Sequence, residues 1–298
     1  MPDQLFGTTR ITVVLKNISY FKIALNMKSK LLFLKRIWIF SFLYRIYFAC
    51  SYYNKKYWQI LKWGFTSNES NNFTYELTED NLLYLAHRVG IILNKKPEEI
   101  RKYINELTND AELKNHVATV TSKSSLKKYA DKEIHFAKRL GWYAFARAMK
   151  PKLIVETGVD KGLGSVVLCS ALLRNKTEGF EGKYIGTDIN PKAGYLLEGR
   201  YATVGKILYG DSIESLKTIT DKIDLFINDS DHSAQYEYEE YKTIKSKIAD
   251  KAVLLGDNSH VTNKLALFSL EENRKFVFFK ESPKDHWYPG CGIGISFN

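Results

Sequence analysis

The chain has 298 residues, of which 45% are hydrophobic and 26% are charged. Its length is enough for a main domain with an appendage, and its composition excludes a disordered, collagen-like or disulfide-stapled chain. The three scattered cysteines (Cys50, Cys169 and Cys291) form neither a disulfide framework nor a paired-cysteine metal cluster. We therefore expect a folded protein in a reducing, cytoplasmic compartment.

The net charge of +11 is concentrated at the amino end of the chain. Residues 1–66 hold eleven lysines and arginines and a single acid, Asp3, together with many Tyr, Trp and Phe. The rest of the chain is nearly neutral, which disfavours nucleic acid as the partner of the main domain. The pattern favours a helical extension lying on an anionic membrane surface, peripheral at the inner membrane face.

Two other interpretations of this extension stay open. Lys35, Arg36 and Arg45 interrupt the apolar run, which penalises a true membrane span, and no small-residue cleavage site for a signal peptide follows. A helical pair packed on the main body, with its aromatic face in a core, would also explain the composition.

Beyond the extension, the polar stretch TSNESNNFT indicates a linker, with a boundary near Ser67. Residues 67–130 are expected to form small accessory helices, one capped by Thr78 and one beginning at Pro97. The main domain then covers residues 131–298.

In the main domain, short apolar runs alternate with helical stretches, which is typical of parallel strands joined by helices. Only the last two strands lack a helix between them, so they should form an antiparallel hairpin at one edge of an α/β sheet. The predicted strands are residues 153–156, 184–188, 206–209, 223–228, 252–256, 276–280 and 292–297. The predicted helices are residues 165–174, 193–204, 211–218, 234–249 and 263–271.

Candidate ligand-binding residues follow the first three strands. The first strand ends in VETGVDKGLGS, whose glycine spacing lacks the third glycine of a dinucleotide fingerprint. Glycines here allow backbone to approach a ligand, and a carboxylate ending the second strand can accept both hydroxyls of a ribose. The candidates are Glu156, Gly158, Gly162, Gly164, Ser165, Asp188, Asp211 and Ser212.

These ordered motifs resemble the class I S-adenosylmethionine-dependent methyltransferases over about residues 131–298. The resemblance implies a Rossmann-like seven-stranded sheet with a reversed carboxyl-terminal hairpin, and S-adenosylmethionine as cofactor. It places Glu156 near the methionine amino group and the three glycines along the amino-acid part of the cofactor. It also implies that Asp188 binds the ribose and that Asp211 and Ser212 lie by the adenine.

The segment after the fourth strand resembles a smaller group within this family. The segment DSDHSAQY is similar to the D-x-D-H-[ST]-x-x-Y segment of O-methyltransferases that act on sugars and on antibiotic glycosides. The resemblance implies His232 as general base, with Asp229 at the acceptor. It also implies a possible Mg²⁺ site at Asp229, Asp257 and Asn258, although Asn258 stands where a second acid is expected.

Several neighbouring residues have simpler interpretations. Asp231 can serve only to cap the following helix, and the glutamates at 237, 239 and 240 are expected on its solvated face. His260 is interpreted as a loop histidine, and the segment His286–Trp287–Tyr288 either lines the acceptor pocket or covers the sheet edge.

Taken together, the sequence predicts O-methylation of a hydroxyl on a sugar, glycan or glycosylated small molecule. One alternative is an RNA methyltransferase whose basic arm holds phosphates. The other is a non-catalytic protein that binds the cofactor or acts as a membrane scaffold.

Overall fold

The computed structural model describes residues 37–69, 74–131, 133–231 and 233–298. The chain divides into two compact units, Met1–Lys62 and Trp63–Asn298. Helix α1, Trp38–Thr66, carries no acid, and none of its residues is buried. None of the described helices combines the length and the apolarity needed to cross a membrane.

Three accessory helices precede the main domain: α2 (Glu79–Leu93), α3 (Pro97–Thr108) and α4 (Ala111–Lys123). The predicted cap at Thr78 is confirmed, because its hydroxyl accepts a hydrogen bond from the Asn81 amide at 3.3 Å. Pro97 occupies the first turn of α3, where its missing N–H has no helical partner to lose.

Seven strands form one sheet in the order β3-β2-β1-β4-β5-β7-β6. Strands β1 to β5 are parallel, and β7 pairs antiparallel with both β5 and β6. The predicted seven-stranded sheet with a reversed final hairpin is therefore confirmed. The strands are β1 Leu153–Thr157, β2 Lys183–Asp188, β3 Gly205–Tyr209, β4 Ile223–Asn228, β5 Ile248–Gly256, β6 Lys275–Lys280 and β7 Gly292–Phe297.

Five further helices belong to the main domain, and two of the predicted helices differ from those observed. Residues 193–204 contain only a short 3-10 helix, Gly199–Thr203, because Gly194 and Gly199 take left-handed backbone angles that an α-helix cannot accommodate. Strand β5 begins at Ile248, which ends the preceding helix earlier than expected. The helices are α5 Arg139–Met149, α6 Leu163–Thr177, α7 Ser212–Thr218, α8 Ala234–Ile244 and α9 Lys264–Glu271.

The sheet is covered by an apolar core on each face, as a parallel sheet requires. One core includes Trp142, Phe145 and residues of the accessory helices. The other contains Phe226, Tyr241 and Phe268, with the Tyr241 ring edge-on to Phe226 and tilted against Phe268. Because both faces are occupied, a ligand can reach the central sheet only at the ends of its strands.

Candidate active site

A cavity of about 910 Å³ opens at the carboxyl ends of strands β1 to β5. It lies where the strand order reverses between β1 and β4, the usual ligand position in an open α/β sheet. The volume falls within the usual range for small-molecule sites. Six of the predicted site residues line it: Gly158, Asp188, Asp211, Ser212, Asp229 and Asp257.

Gly158 holds the loops after β1 and β4 together at the cavity wall. Its φ of +79° suits glycine, and a Cβ at this position would overlap the carbonyl of Asp229. The Gly158 amide donates to the Thr187 carbonyl and the Asp229 amide to the Thr157 carbonyl, both at 2.9 Å. Any larger residue at 158 would push the two loops apart.

Asp188 at the end of β2 binds the glycine loop through its carboxylate. One oxygen accepts from the amides of Val159 and Asp160 at 3.1 and 3.0 Å, and the other accepts from the Asn190 amide at 2.8 Å. The carboxylate is thereby fixed at the cavity wall, with lone pairs left to accept hydrogen bonds from ligand hydroxyls.

The residues after β3 are linked to helix α8 by hydroxyl hydrogen bonds. Tyr236, which also lines the cavity, donates to Asp211 at 2.9 Å, and its hydroxyl lies 2.9 Å from that of Ser212. Ser212 in turn donates to Glu240. Asp211 also caps α7, accepting from the Glu214 amide at 3.0 Å.

Glu240 is fully buried, which corrects the expectation of a solvated face for this part of α8. Its carboxylate accepts hydrogen bonds from Thr157 at 3.1 Å and from Ser230 at 2.7 Å, besides those of Ser212 and Asn228. Burial raises the pKa of Glu240, and these four donors oppose the rise. Glu237, also fully buried, accepts from the hydroxyls of Tyr241 and Thr262.

The remaining predicted cofactor residues lie behind the cavity wall and do not line it: Glu156, Gly162, Gly164 and Ser165. Glu156 is 1% exposed and accepts a hydrogen bond from Tyr184 at 2.5 Å. Burial raises its pKa to about 7, although that hydrogen bond acts in the opposite direction. A Cβ at Gly164 would overlap the Glu156 carboxylate, so Glu156 lies directly beneath the start of α6.

After β4 and β5, Asp229 and Asp257 share one cation, the ammonium of Lys138. Its Nζ lies 3.2 Å from Asp229 and 2.5 Å from Asp257, and all three side chains are largely buried. Burial alone would lower the pKa of Lys138, but the two carboxylates outweigh it and raise that pKa to about 12. Burial and the charge of Asp257 raise the pKa of Asp229, whereas Lys138 overcomes the effect of burial at Asp257 and keeps its pKa low.

Comparison with known proteins agrees with this geometry. Residues 155–259, from β1 to the turn after β5, match the family model described as a methyltransferase domain. The chain therefore contains a methyltransferase domain, and its sheet has the fold of the class I S-adenosylmethionine-dependent methyltransferases. No curated protein matches it.

Solved structures similar to this chain include the O-methyltransferase from Bacillus cereus in complex with S-adenosylhomocysteine. That match has 13% identity and a TM-score of 0.48, and covers 67% of this chain and 100% of the other. The O-methyltransferase TomG from Streptomyces achromogenes, involved in tomaymycin synthesis, has 13% identity, a TM-score of 0.47, and coverage of 63% and 90%. The Podospora anserina methyltransferase PaMTH1 has 15% identity, a TM-score of 0.46, and coverage of 76% and 100%.

Two of the three predicted Mg²⁺ ligands, Asp229 and Asp257, bind a different cation in this structure. Lys138 lies between Asp229 and Asp257, and the amide nitrogen of Asn258 is directed at the Asp231 carbonyl, at 3.5 Å. Within the described ranges, no three His, Cys, Asp or Glu side chains are grouped as metal ligands. As placed, the donor set fits the lysine ammonium and does not fit a divalent cation.

His232, the predicted general base, lies outside the described residues. Its neighbours Ser230 and Asp231 line the cavity, and the Asp231 carboxylate accepts from the Ser233 amide at 2.8 Å. His260 also lines the cavity, with Nδ1 3.0 Å from the Asp257 carbonyl. Of the aromatic segment 286–288, Tyr288 lines the cavity.

Three residues that line the cavity were missed in the sequence: Lys138, Arg139 and Tyr236. The charged pair Lys138–Arg139 interrupts an otherwise apolar helical pattern just before β1, a departure from periodicity that could have marked both side chains. Tyr236 is the tyrosine of the DSDHSAQY segment, so the resemblance had already included it without a role.

Proposed function

We propose that the protein transfers the methyl group of S-adenosylmethionine to a hydroxyl of a sugar, glycan or glycosylated small molecule. The observation that carries the proposal is a single cavity that joins the predicted ribose carboxylate, Asp188, to the acidic pair Asp229 and Asp257. Asp188 suits a cofactor, and the acidic pair lies where an acceptor would meet the methyl group. The similarity of DSDHSAQY to sugar O-methyltransferases supports the acceptor class.

The reaction needs little covalent help from the protein. The acceptor oxygen attacks the methyl carbon as the carbon–sulfur bond breaks, and the sulfonium becomes a neutral thioether. The protein must hold these three atoms in line and remove the hydroxyl proton. In our proposal His232 takes that proton, because imidazole accepts protons near neutral pH.

The pair of carboxylates positions the acceptor. Asp229 can accept a hydrogen bond from an acceptor hydroxyl, and the Lys138 ammonium can donate to the oxygen that loses its proton. The Mg²⁺ expected from the sequence is not needed for this arrangement, and no step is assigned to it. Tyr75 and Tyr288, whose ring centroids lie 5.9 Å apart, line the same cavity and offer aromatic faces to a sugar ring.

The proposal is tested first by calorimetry with S-adenosylhomocysteine. Asp188→Ala should weaken binding by about 1.5–3 kcal/mol, the scale for hydrogen bonds to a charged group. Asp224→Ala is the matched control, since this carboxylate accepts backbone hydrogen bonds at the other end of the sheet. Equal affinity in the wild type and Asp188→Ala would contradict the ribose assignment.

The acceptor class is then tested by following methyl transfer to free sugars, glycosylated small molecules and lipid-linked glycans, with RNA as the competing substrate. Methylated glycan identified by mass spectrometry supports the proposal. Turnover on RNA alone, with binding that weakens steeply with salt, would identify the alternative enzyme. Cofactor binding without turnover on any acceptor would favour the scaffold interpretation.

We also propose that α1 lies on an anionic membrane surface. Its exposed side chains include Trp38, Tyr47 and Trp58, each at least 70% accessible. The helix carries four bases and no acids. Aromatic rings at the headgroup level and bases near anionic lipid are the usual attachment of an interfacial helix.

Changing Arg45, Lys55, Lys56 and Lys62 together to Gln should weaken binding to anionic liposomes. Each base near such a surface is worth about 1 kcal/mol, so the loss should be about 10²–10³-fold. The matched control changes four exposed lysines of the second unit, Lys102, Lys123, Lys128 and Lys251, to Gln. Co-sedimentation at low salt measures both. Equal binding by the two variants, or no binding by the wild type, would remove the membrane role.

A further inference from the structure

Arg139 is a buried arginine whose Nε lacks a hydrogen-bond partner among the described residues. It is the first residue of α5 and only 6% exposed. Among the residues that the structure describes, its Nε has no hydrogen-bond acceptor. The positive charge of Arg139 lowers the pKa of Glu156, Asp229 and Asp257, but no hydrogen bond to Nε accompanies this effect. The group packs against the ring of Trp142, with Cζ 5.5 Å from the ring centroid. A guanidinium is always charged, and a buried one without an anion is costly unless a ligand supplies the anion.

This side chain is accessible to a ligand despite its burial. It lines the main cavity and also a second one of about 460 Å³ beside α4. The two cavities share three wall residues: Arg139, Val159 and Asp160. The guanidinium therefore lies at the junction of the two cavities, next to the loop that follows β1.

The position of Trp142 identifies which end of the cofactor site this is. A Cβ at Gly164 would come within 2.8 Å of the Trp142 ring and would overlap the carboxylate of Glu156. Arg139 packs on Trp142, and Trp142 lies next to Gly164 and Glu156, so the arginine is close to the glycine loop. In the proposed use of the cavity, this is the amino-acid end of the cofactor, and Asp188 is at the ribose.

The charges of the cavity leave one place for an anionic ligand group. S-adenosylmethionine carries a sulfonium, an ammonium and a single α-carboxylate. Of the two bases in the cavity wall, Lys138 is already paired with two carboxylates. Arg139 is the other, and a guanidinium binds a carboxylate through two parallel hydrogen bonds. The acids of the same wall would repel the carboxylate elsewhere: Asp160, Asp188, Asp211, Asp229, Asp231 and Asp257.

We infer that Arg139 binds the α-carboxylate of the methionine part of S-adenosylmethionine. The inference rests on the proposed use of this cavity for the cofactor. It adds a cofactor-binding residue from α5, outside the residues 155–259 that match the methyltransferase domain.

The test compares two ligands by calorimetry: S-adenosylhomocysteine and its decarboxylated analogue, which keeps the amine. Arg139→Met should weaken binding of S-adenosylhomocysteine by about 10–100-fold, the range for a hydrogen-bonded charged group. The affinity of the variant for the decarboxylated analogue should equal that of the wild type. The wild type should bind this analogue about 10–100-fold more weakly than S-adenosylhomocysteine. Arg139→Lys, which keeps the charge, should recover part of the affinity.

Each outcome separates this inference from the proposed function. If the wild type does not bind S-adenosylhomocysteine, the use of the cavity for the cofactor fails. If Arg139→Met weakens both ligands equally, the arginine has a structural role, which a lower melting temperature would also show. If it weakens neither ligand but raises KM for the acceptor, Arg139 serves the acceptor and the inference is overturned.

Discussion

His232→Ala is expected to lower kcat by about 10²–10⁴-fold, the usual contribution of a positioned general base. An alcohol has a pKa far above 7 and is a poor nucleophile unless its proton leaves as the methyl group arrives. Affinity for S-adenosylhomocysteine should stay unchanged, because the base acts on the acceptor and not on the cofactor. Single-turnover rates and calorimetry measure the two quantities separately.

The matched control is His260→Ala, which removes an imidazole that lines the same cavity. It should retain most of the activity. In the wild type, kcat should fall as the pH drops below the pKa of the base. This decrease of kcat at low pH should be absent in His232→Ala. Full activity in His232→Ala would exclude the base assignment and leave Asp229 or His260 as the proton acceptor.

Lys138→Met is expected to destabilise the folded protein by about 3–5 kcal/mol, the cost of removing one partner from a buried ion pair. The substitution leaves Asp229 and Asp257 buried against each other, so the pKa of each carboxyl rises. A carboxyl whose folded-state pKa is raised stabilises the fold less as the pH increases. The variant should therefore lose more stability at alkaline pH than in mild acid, as measured by urea unfolding.

The same variant tests the fit of the site for Mg²⁺. Because Lys138 already balances the two carboxylates, excess EDTA should not change turnover by the wild type. Mg²⁺ should raise the melting temperature of Lys138→Met, whose carboxylates lack a cation, but not that of Lys138→Arg. If EDTA abolishes wild-type turnover and Mg²⁺ restores it, the ion displaces the lysine in the working enzyme, and the assignment of Lys138 as the resident cation is wrong.

The sequence predicted the sheet well because burial on both faces imposes short apolar runs, such as LIV in LIVE and LFI in IDLFIN. The first strand and the fourth differ from their predicted bounds by at most one residue. The helix expected at 193–204 was wrong, since Gly194 and Gly199 outweigh its apolar spacing. Local composition therefore predicted the strands better than the helices.

The candidate site was predicted only where it lies on strand ends. Asp188, Asp229 and Asp257 could be placed because parallel strands bring their carboxyl ends to one edge. The Lys138 ammonium could not, since its approach to two strands that are about 90 and 120 residues away depends on how α5 packs. Glu240 was misjudged because the helical pattern of α8 does not show which polar residue faces the sheet.

The buried Glu240 carboxylate connects several segments at the edge of the cavity. It accepts hydrogen bonds from β1, from β4 and the loop after it, and from the start of α7. The cofactor edge therefore cannot loosen by the movement of a single loop, because each segment is hydrogen-bonded to the same buried group. Amide hydrogens at the ends of β1 and β4 should exchange only with the opening of the central sheet, in one cooperative unit.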